Sequence, residues 1–317
     1  MTTLTLTTRS RSRRSRHLLN IIGGERGGGG PHVFRQQQQH HQQQYFSTAR
    51  GSVPRGREVV IVGGVRLPFA QASTIYADEM AVDLQRLAIK GLIDRTALSK
   101  DVIDYVVCGN VIQEVKTSNI AREASINAGL PYHIPSHTVA QACISANAAI
   151  ATGATAIQAG HADVVIAGGV ETFSDVPIRL SRPIRQKLIT LPKAMKKGGP
   201  FGAFKHLLRG LKFQHLVGLE TPAIANYTTG EVMGVSSDKL SAKFGVSRHD
   251  QDAFTVRSHT LAHQAHDDGF YHEEIIPYHG SRTENGIKGT TTTLETVGKL
   301  KPAFVKPHGT HTAANSR

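Results

Sequence analysis

A run of uncharged residues from position 142 to position 157 constrains the fold more than any other feature of this sequence. Its side chains are mostly small, and a helix that is apolar on every side is typically buried in the core of a protein. A span across a bilayer needs about 20 apolar residues, so the run is too short to be one. It therefore predicts a buried helix at 143–159, against which neighbouring backbones pack closely.

Short apolar segments alternate with helical patterns on both sides of this run. Strands are predicted at 58–64, 104–109, 137–140 and 163–167, and helices at 78–95, 119–129 and 143–159. This alternation is typical of βαβ units around a buried sheet, so the predicted fold class is α/β. The pattern changes after residue 176: helices are predicted at 236–244 and 248–268, and a short strand at 274–277.

The chain has two cysteines, Cys108 and Cys143, which are too few for a disulfide framework and indicate a reducing compartment. Cys143 lies where the strand at 137–140 gives way to the uncharged helix. Backbone N–H groups and the helix dipole at a helix start favour a thiolate, so Cys143 is a candidate nucleophile. From position alone, a structural cysteine is the alternative. Cys108 falls inside a strand and is predicted to belong to the core.

Residues 1–46 have the composition of an organelle transit peptide, rich in Arg, Ser and Thr and ending in a Gln/His tract. We expect this leader to be disordered and to be cleaved near residues 46–48. The alternative is a low-complexity tail without a targeting role. The first fifty residues contain eight Arg and one Glu, which is +7 of the formal net charge of +13. The remaining charge is dispersed apart from one local concentration, described below, so no nucleic-acid partner is predicted.

Along the rest of the chain, a series of segments carries the motifs of a known family in the family's order. The segments are 59–69, 109–124, 142–147, 167–171, 174–179, 247–259, 300–304 and 312–316. Together they resemble the thiolase family, over roughly residues 58–317, although Leu67 stands where threonine is usual. Segments 109–124 and 174–179 are similar to the β subunits of mitochondrial trifunctional fatty-acid oxidation complexes.

The resemblance implies a thiolase-like α/β fold and the chemistry of an acyltransferase. It implies 3-ketoacyl-CoA thiolysis in mitochondrial β-oxidation, through an acyl-enzyme on Cys143. Coenzyme A and acyl-CoA are then substrates, with no permanently bound cofactor and no metal. The implied partners are a second copy in a homodimer and the α subunit of a trifunctional-type complex. Two alternatives remain: an acetyl-CoA acetyltransferase, and a non-catalytic fragment that binds lipid or a subunit.

Thiolases have a second half of similar fold, and its motifs are not found among these 317 residues. That half carries an Asn-Glu-Ala-Phe segment, a Gly-His-Pro histidine that activates the nucleophilic cysteine, and a second cysteine that acts as acid and base. We therefore expect residues 57–317 to correspond to the N-terminal domain, with incomplete turnover in the chain as given. His137, His161 and His259 are not predicted to replace the missing histidine.

Residues 179–219 form a basic insert with ten Lys or Arg and no acidic residue. Apolar residues alternate with these charges, and Phe204, Leu207, Leu208 and Leu211 follow helical spacing. This pattern predicts an interfacial helix on the anionic lipid of the inner membrane. The candidate membrane contacts are Arg182, Arg185, Lys187, Lys193, Lys196, Lys197, Lys205, Arg209 and Lys212. The alternatives are a solvated loop near the phosphates of coenzyme A, or a face that binds a partner subunit.

Overall fold

The structure is a computed structural model whose described residues are 2–8, 56–210, 212, 215 and 218–316, with backbone alone for residues 2–8. It divides into two units. The first contains Met1–Arg66, Val82–Val111 and Asn119–Val170, and the second contains Leu67–Ala81, Ile112–Ser118 and Glu171–Arg317.

A five-stranded sheet forms the centre of the first unit. The strands are β1 Thr2–Thr8, β2 Val59–Arg66, β3 Tyr105–Gly109, β4 Ser136–Val139 and β5 Val164–Gly169, in the order β2-β1-β5-β3-β4. Strands β3, β4 and β5 are parallel, and β1 is antiparallel to both of its neighbours. The helices are α1 Ala81–Thr96, α2 Ile120–Asn127 and α3 Ser145–Gln158. This arrangement confirms the predicted α/β class and the predicted strands and helices up to residue 169.

Strand β1 differs from the expectation that all of residues 1–46 are disordered. Residues Thr2–Thr8 pair with β2 on one side and with β5 on the other. Their sequence, TTLTLTT, has no charge and is rich in β-branched threonine, which favours an extended backbone. The expectation of disorder is therefore wrong for these seven residues. The rest of the leader lies outside the described residues.

Helix α3 packs one face on the sheet. Its buried residues are Ser145, Ala149, Gly153 and Ile157, one for every turn. Ala149 and Ile157 belong to a cluster with Val107 and Val165 of the parallel strands. The prediction of a helix buried on all sides is wrong, because the opposite face borders a groove of about 790 Å³ lined by small residues such as Ala148, Ala151 and Thr155.

The second unit is mainly helical. Its helices are α4 Arg182–Leu208, α5 Met233–Phe244, α6 Arg248–Asp267 and α7 Leu294–Gly298, and a two-stranded ribbon joins β6 Arg179–Leu180 to β7 Leu219–Glu220. Helices α5 and α6 confirm the predictions for this region. Ser247 begins α6 with a capping box to Asp250. Among the helices of the described residues, none has the length and apolar character that a bilayer span requires.

The strand predicted at 274–277 is wrong. The backbone forms a 3-10 helix at Phe270–Glu273, and the following residues hold single bridge positions, at Ile275 and between Tyr278 and Ser281, instead of a strand. Ile275, which suggested a strand, is fully buried. Its apolar character therefore reflects a buried side chain at a single bridge position rather than a strand.

Candidate active site

Cys143 lies in the connection between β4 and α3, beyond the carboxyl ends of the parallel strands. Helix α3 begins at Ser145 with Ile144 as its N-cap, so Cys143 precedes the first helical residue by two positions. The prediction placed the helix start at Cys143 itself. Cys143 is a free, exposed cysteine. In open α/β sheets, this edge is where ligands bind, and a nucleophile here is accessible to them.

The backbone at this connection makes a sharp elbow. Ala142 has a φ of +49°, a left-handed conformation that is uncommon for a residue with a Cβ atom. Ser145 holds the elbow closed from within the helix. Its hydroxyl donates to the Ala142 carbonyl oxygen at 2.6 Å and accepts from the Gln141 N–H at 2.8 Å. Because Ser145 is only 3% exposed, these bonds are shielded from water.

Two glycines allow the start of α3 to sit directly on the ends of the strands. A Cβ atom at Gly109, at the end of β3, would lie 2.2 Å from the carbonyl carbon of Ser145. A Cβ atom at Gly169, at the end of β5, would lie 2.8 Å from the Cβ of Ala146. Only glycine fits at these distances. The close contact fixes the position of the elbow relative to the sheet.

Asn110 ties three strand ends together beneath the elbow. Its backbone N–H donates to the Val139 carbonyl of β4 at 3.1 Å. Its side-chain amide donates to the carbonyl of Val170, just after β5, also at 3.1 Å. Sequence reasoning missed both Asn110 and Ser145. The available signals were a polar residue directly after a buried strand and a serine two positions after the cysteine.

The two cysteines have opposite environments. Cys108 is fully buried in β3, and burial raises the pKa of its thiol to about 12. At neutral pH it is a protonated, inaccessible thiol, which confirms its prediction as a core residue. Cys143 is exposed, and none of the hydrogen bonds formed by the described residues involves its sulfur. Cys143 is thus the cysteine that a substrate can reach.

The three histidines considered in the sequence occupy other positions. His137 shares a hydrogen bond of 2.8 Å with the hydroxyl of Tyr105. His161 lines the groove beside α3. His259, in the second unit, accepts from the Lys288 N–H at 3.3 Å. Within the described ranges, no group of three or more His, Cys, Asp or Glu side chains is placed to hold a metal ion.

The basic insert is folded into a kinked helix. The backbone of α4 leaves the helical region at Gly198 and Gly199, and the two segments, 182–197 and 200–208, contact each other. Thr190 of the first segment hydrogen-bonds His206 of the second at 2.8 Å. The ribbon of β6 and β7 closes the base of the insert. Leu211 lies outside the described residues.

The charged residues of the insert differ in their exposure and in their partners. Arg185 pairs with Glu220 and donates to the Leu180 carbonyl at 2.9 Å, so it stabilises the base of the insert. Lys187 is half-buried. The other predicted membrane contacts are exposed: Arg182, Lys193, Lys196, Lys197, Lys205, Arg209 and Lys212.

The sequence profile described as Thiolase, N-terminal domain matches residues 59–317. This range contains the elbow, the parallel strands and the kinked insert. The chain belongs to the thiolase family.

Individual thiolase-family relatives agree with the match. The human protein named Trifunctional enzyme subunit beta, mitochondrial, is 48% identical over 268 residues, which are 83% of this chain and 55% of that protein. A 3-ketoacyl-CoA thiolase of Yersinia pestis is 36% identical over 83% of this chain and 60% of its own length. A crystal structure of Bacillus anthracis acetyl-CoA acetyltransferase superposes with a TM-score of 0.64 at 26% identity, covering 79% of this chain and 60% of that one. The chain thus spans a little over half the length of these thiolases.

Proposed function

We propose that this chain supplies the acyl-accepting cysteine of a 3-ketoacyl-CoA thiolase in mitochondrial fatty-acid oxidation. One observation carries the proposal: the accessible cysteine of a thiolase-family chain, Cys143, lies on a strained and firmly held elbow at the carboxyl edge of the sheet. A nucleophile held in one position loses less freedom on reaching the transition state. Human Trifunctional enzyme subunit beta, similar over 83% of the chain, supports the placement in this pathway.

In the proposed reaction, the Cys143 thiolate attacks the 3-keto carbon of the acyl-CoA. The bond between C2 and C3 breaks, and its electron pair leaves on acetyl-CoA as an enolate, which takes up a proton. The acyl group remains on the Cys143 sulfur as a thioester. The thiolate of a second coenzyme A then attacks this thioester, which releases a shortened acyl-CoA and regenerates the cysteine. Coenzyme A enters and leaves as a substrate.

The acylation step can be tested without turnover. The purified chain is incubated with 3-ketohexadecanoyl-CoA in the absence of free coenzyme A, and its peptides are analysed by mass spectrometry. We expect an acyl adduct on the Cys143 peptide, which a Cys143→Ser variant lacks and a Cys108→Ser variant retains. An adduct with acetoacetyl-CoA alone would instead favour an acetyl-CoA acetyltransferase. No adduct with either substrate on the folded chain would favour the non-catalytic alternative.

We also infer that residues 1–46 direct the chain to the mitochondrial matrix. The first fifty residues contain eight Arg and only one Glu, which supports this inference, since the negative-inside potential of the organelle attracts a positively charged segment. Cleavage near residues 46–48 would remove β1 from the sheet. N-terminal peptide mapping of the protein from purified mitochondria tests the inference, and recovery of an intact Met1 from the matrix would contradict it.

A second proposal concerns the basic insert, which we infer binds anionic lipid at the inner membrane. Its second segment carries an apolar stripe, Phe201, Phe204 and Leu208, whose exposed fractions are 79%, 61% and 53%. Lys205 lies on the same segment and Arg209 directly follows it, and both are exposed. An exposed apolar stripe beside basic residues is typical of a helix that lies in the membrane interface. Each such charge near an anionic surface contributes about 1 kcal/mol.

Vesicle flotation tests the lipid proposal. We expect the chain to float with vesicles containing cardiolipin and to float less with neutral vesicles. The triple variant Lys196→Glu, Lys197→Glu, Lys205→Glu is expected to lose the preference. A control with the same change of charge, Lys243→Glu, Lys301→Glu, Lys306→Glu, alters exposed lysines outside the insert. Equal flotation of both variants would reject the electrostatic contribution. If the wild type does not float at all, the basic face would instead be assigned to docking of an α subunit.

A further inference from the structure

Helix α5 and the segment that follows α7 bring a serine, a histidine and an aspartate into one chain of hydrogen bonds. The hydroxyl of Ser237 lies 2.7 Å from Nε2 of His311. Nδ1 of His311 lies 3.0 Å from Oδ1 of Asp238. None of these residues takes part in the chemistry assigned to Cys143. We propose that Ser237, His311 and Asp238 form a second acyl-accepting site, which takes acyl groups from esters and thioesters onto the Ser237 oxygen.

The distances and roles correspond to those of an activated serine. A nucleophile and its base need to be within hydrogen-bond reach, about 2.6–3.2 Å, with the base oriented by a third group. An ionised carboxylate can only accept hydrogen bonds, so Asp238 fixes the proton of His311 on Nδ1. Nε2 is then the free acceptor, and it faces the Ser237 hydroxyl. Such a group of residues is recognised by geometry and not by sequence order.

Asp238 is held as a carboxylate. The residue is buried, which opposes the charged form, but hydrogen bonds from the backbone and the ring of His311 and from the backbone of Thr310 and Val305 outweigh burial. Together they lower the pKa of the Asp238 carboxyl below its ordinary value. The Thr310 N–H donates at 2.7 Å and the His311 N–H at 3.0 Å. These bonds also fix the backbone from which the His311 ring projects.

The segment that carries His311 lies close against the carboxylate. A Cβ atom at Gly309 would be 2.5 Å from Oδ2 of Asp238, so only glycine allows this approach. The side chains of His311 and Asp238 are 12% and 4% exposed. A hydrogen bond between such shielded groups is stronger than one in water. Asp238 is therefore a positioning residue, and His311 is the base.

A cleft next to the histidine could hold the acyl compound. Its volume is about 870 Å³, and His311 and Ser241 both line it. Ser241 lies one helical turn after Ser237, on the same face of α5. Other parts of the lining are apolar, including Val246, Phe254 and Ile287. The cleft therefore suits an ester or thioester with an apolar acyl group.

Gln251 is a polar residue in the lining of the cleft. Its Nε2 donates to Thr310 Oγ1 at 2.9 Å, whereas its Oε1 is buried and has no hydrogen-bond partner among the described residues. The substrate class follows from the apolar lining of the cleft rather than from this buried atom: it is an acyl ester or thioester with an apolar acyl group.

The step requires no additional reagent. As Ser237 Oγ forms a bond to the acyl carbon, its proton passes to Nε2 of His311. The bond from the acyl carbon to the oxygen or sulfur of the leaving group then breaks, and that group takes the proton from His311. The acyl-serine is hydrolysed when water repeats the attack, releasing the carboxylic acid. No atom is oxidised or reduced.

A fluorophosphonate probe tests the site in the Cys143→Ser background, so that the result does not depend on the proposed thiolase function. We expect the probe to label the Ser237 peptide, and p-nitrophenyl butyrate to be hydrolysed with a rate that falls about 10²-fold or more in Ser237→Ala, because this variant removes the nucleophile. The matched control is Ser236→Ala, because Ser236 is the adjacent serine and bonds Glu231 at 2.6 Å instead of a histidine.

The thermal melting curve of each variant verifies that it is folded. We expect the two Ser→Ala substitutions to leave the melting curve nearly unchanged, because each removes only a hydroxyl group. His311→Gln keeps a side chain that can hydrogen-bond but removes the base, and it is expected to abolish labelling of Ser237. The proposal is overturned if the probe does not label Ser237 in the folded protein. It is also overturned if Ser237→Ala and Ser236→Ala hydrolyse the ester at the same rate.

Discussion

Ser145 and Ala142 are joined by two hydrogen bonds to one carbonyl oxygen: the Ser145 amide donates to Ala142 O at 3.1 Å, and its hydroxyl donates at 2.6 Å. Ala142 has the left-handed φ of +49° that turns the chain at the elbow. A left-handed residue with a Cβ atom costs roughly 1–2 kcal/mol. The Ser145 hydroxyl thus helps to maintain a conformation that the backbone alone would not favour, one residue before Cys143.

Ser145→Ala should therefore destabilise the chain by about 1–3 kcal/mol, because the Gln141 N–H loses its buried acceptor. Chemical denaturation measures the difference. Thr155→Ala is the matched control. Its hydroxyl also donates to a carbonyl of α3, that of Ala151 at 2.9 Å, but it is exposed. The control should change stability by less than about 0.5 kcal/mol. Similar losses for both variants would show that the elbow does not depend on Ser145.

The environments of the two cysteines predict their reactivity. Iodoacetamide should alkylate Cys143 in the native chain and leave Cys108 unmodified at pH 7 and at pH 9. Burial raises the pKa of Cys108 to about 12, so both pH values lie far below the point at which its thiolate forms. In denaturant, both should react. Peptide mapping after a timed quench gives the two rates. Equal native rates would contradict the assignment of Cys143 as the nucleophile.

The contact between Gly109 and α3 predicts a steric effect. In Gly109→Ala, the new Cβ would lie 2.2 Å from the backbone of Ser145, and neither the strand nor the helix start can move without disturbing the sheet. We expect a loss of about 3 kcal/mol or more, the upper range for overpacking a core. Gly202→Ala is the control. Its nearest neighbour is 3.5 Å away in a helix, so it should gain up to about 1 kcal/mol. Equal stability of the two variants would refute the contact.

The sequence predicted the elements whose signals are local. The strand that contains Cys108, the strand before Cys143 and the helix at 248–268 were all predicted from the sequence. The exposed face of α3 could not be predicted, because a run without polar residues has no periodicity to distinguish a covered face from an open one. The kink in α4 had a readable signal in Gly198, Gly199 and Pro200, which breaks a helix. Strand β1 was missed because the composition of the whole leader obscured a short uncharged stretch.

The candidate site could be predicted only in part, because only some of its residues have a local signal in the sequence. Cys143 follows from its place between a strand and a helix. Asn110, Ser145 and the Ser237–His311 pair become visible only when the chain folds, because each depends on partners that are distant in sequence or on a hydrogen bond within a turn. His311 lies 74 positions from Ser237, a separation at which no local pattern indicates a contact.

The last prediction concerns Arg248, which links α6 to the end of α7. Its guanidinium donates to Asp252 at 2.7 Å and to the carbonyls of Val297 and Leu300 at 2.8 and 3.1 Å. Asp252 is only 3% exposed, and its other described partner is Asn315 at 3.0 Å. Arg248→Met keeps much of the packing but leaves a buried carboxylate without its cation, which should cost about 3 kcal/mol. The double variant Arg248→Met, Asp252→Asn should recover part of this loss, since no unpaired charge remains.

Lys239→Met is the control: Lys239 pairs with Glu231 at 2.7 Å, but its side chain is 65% exposed, so the loss should be below about 1 kcal/mol. Urea denaturation of the wild type and these three variants compares them, and an Arg248→Met variant no less stable than Lys239→Met would show that Arg248 does not hold α6 and α7 together.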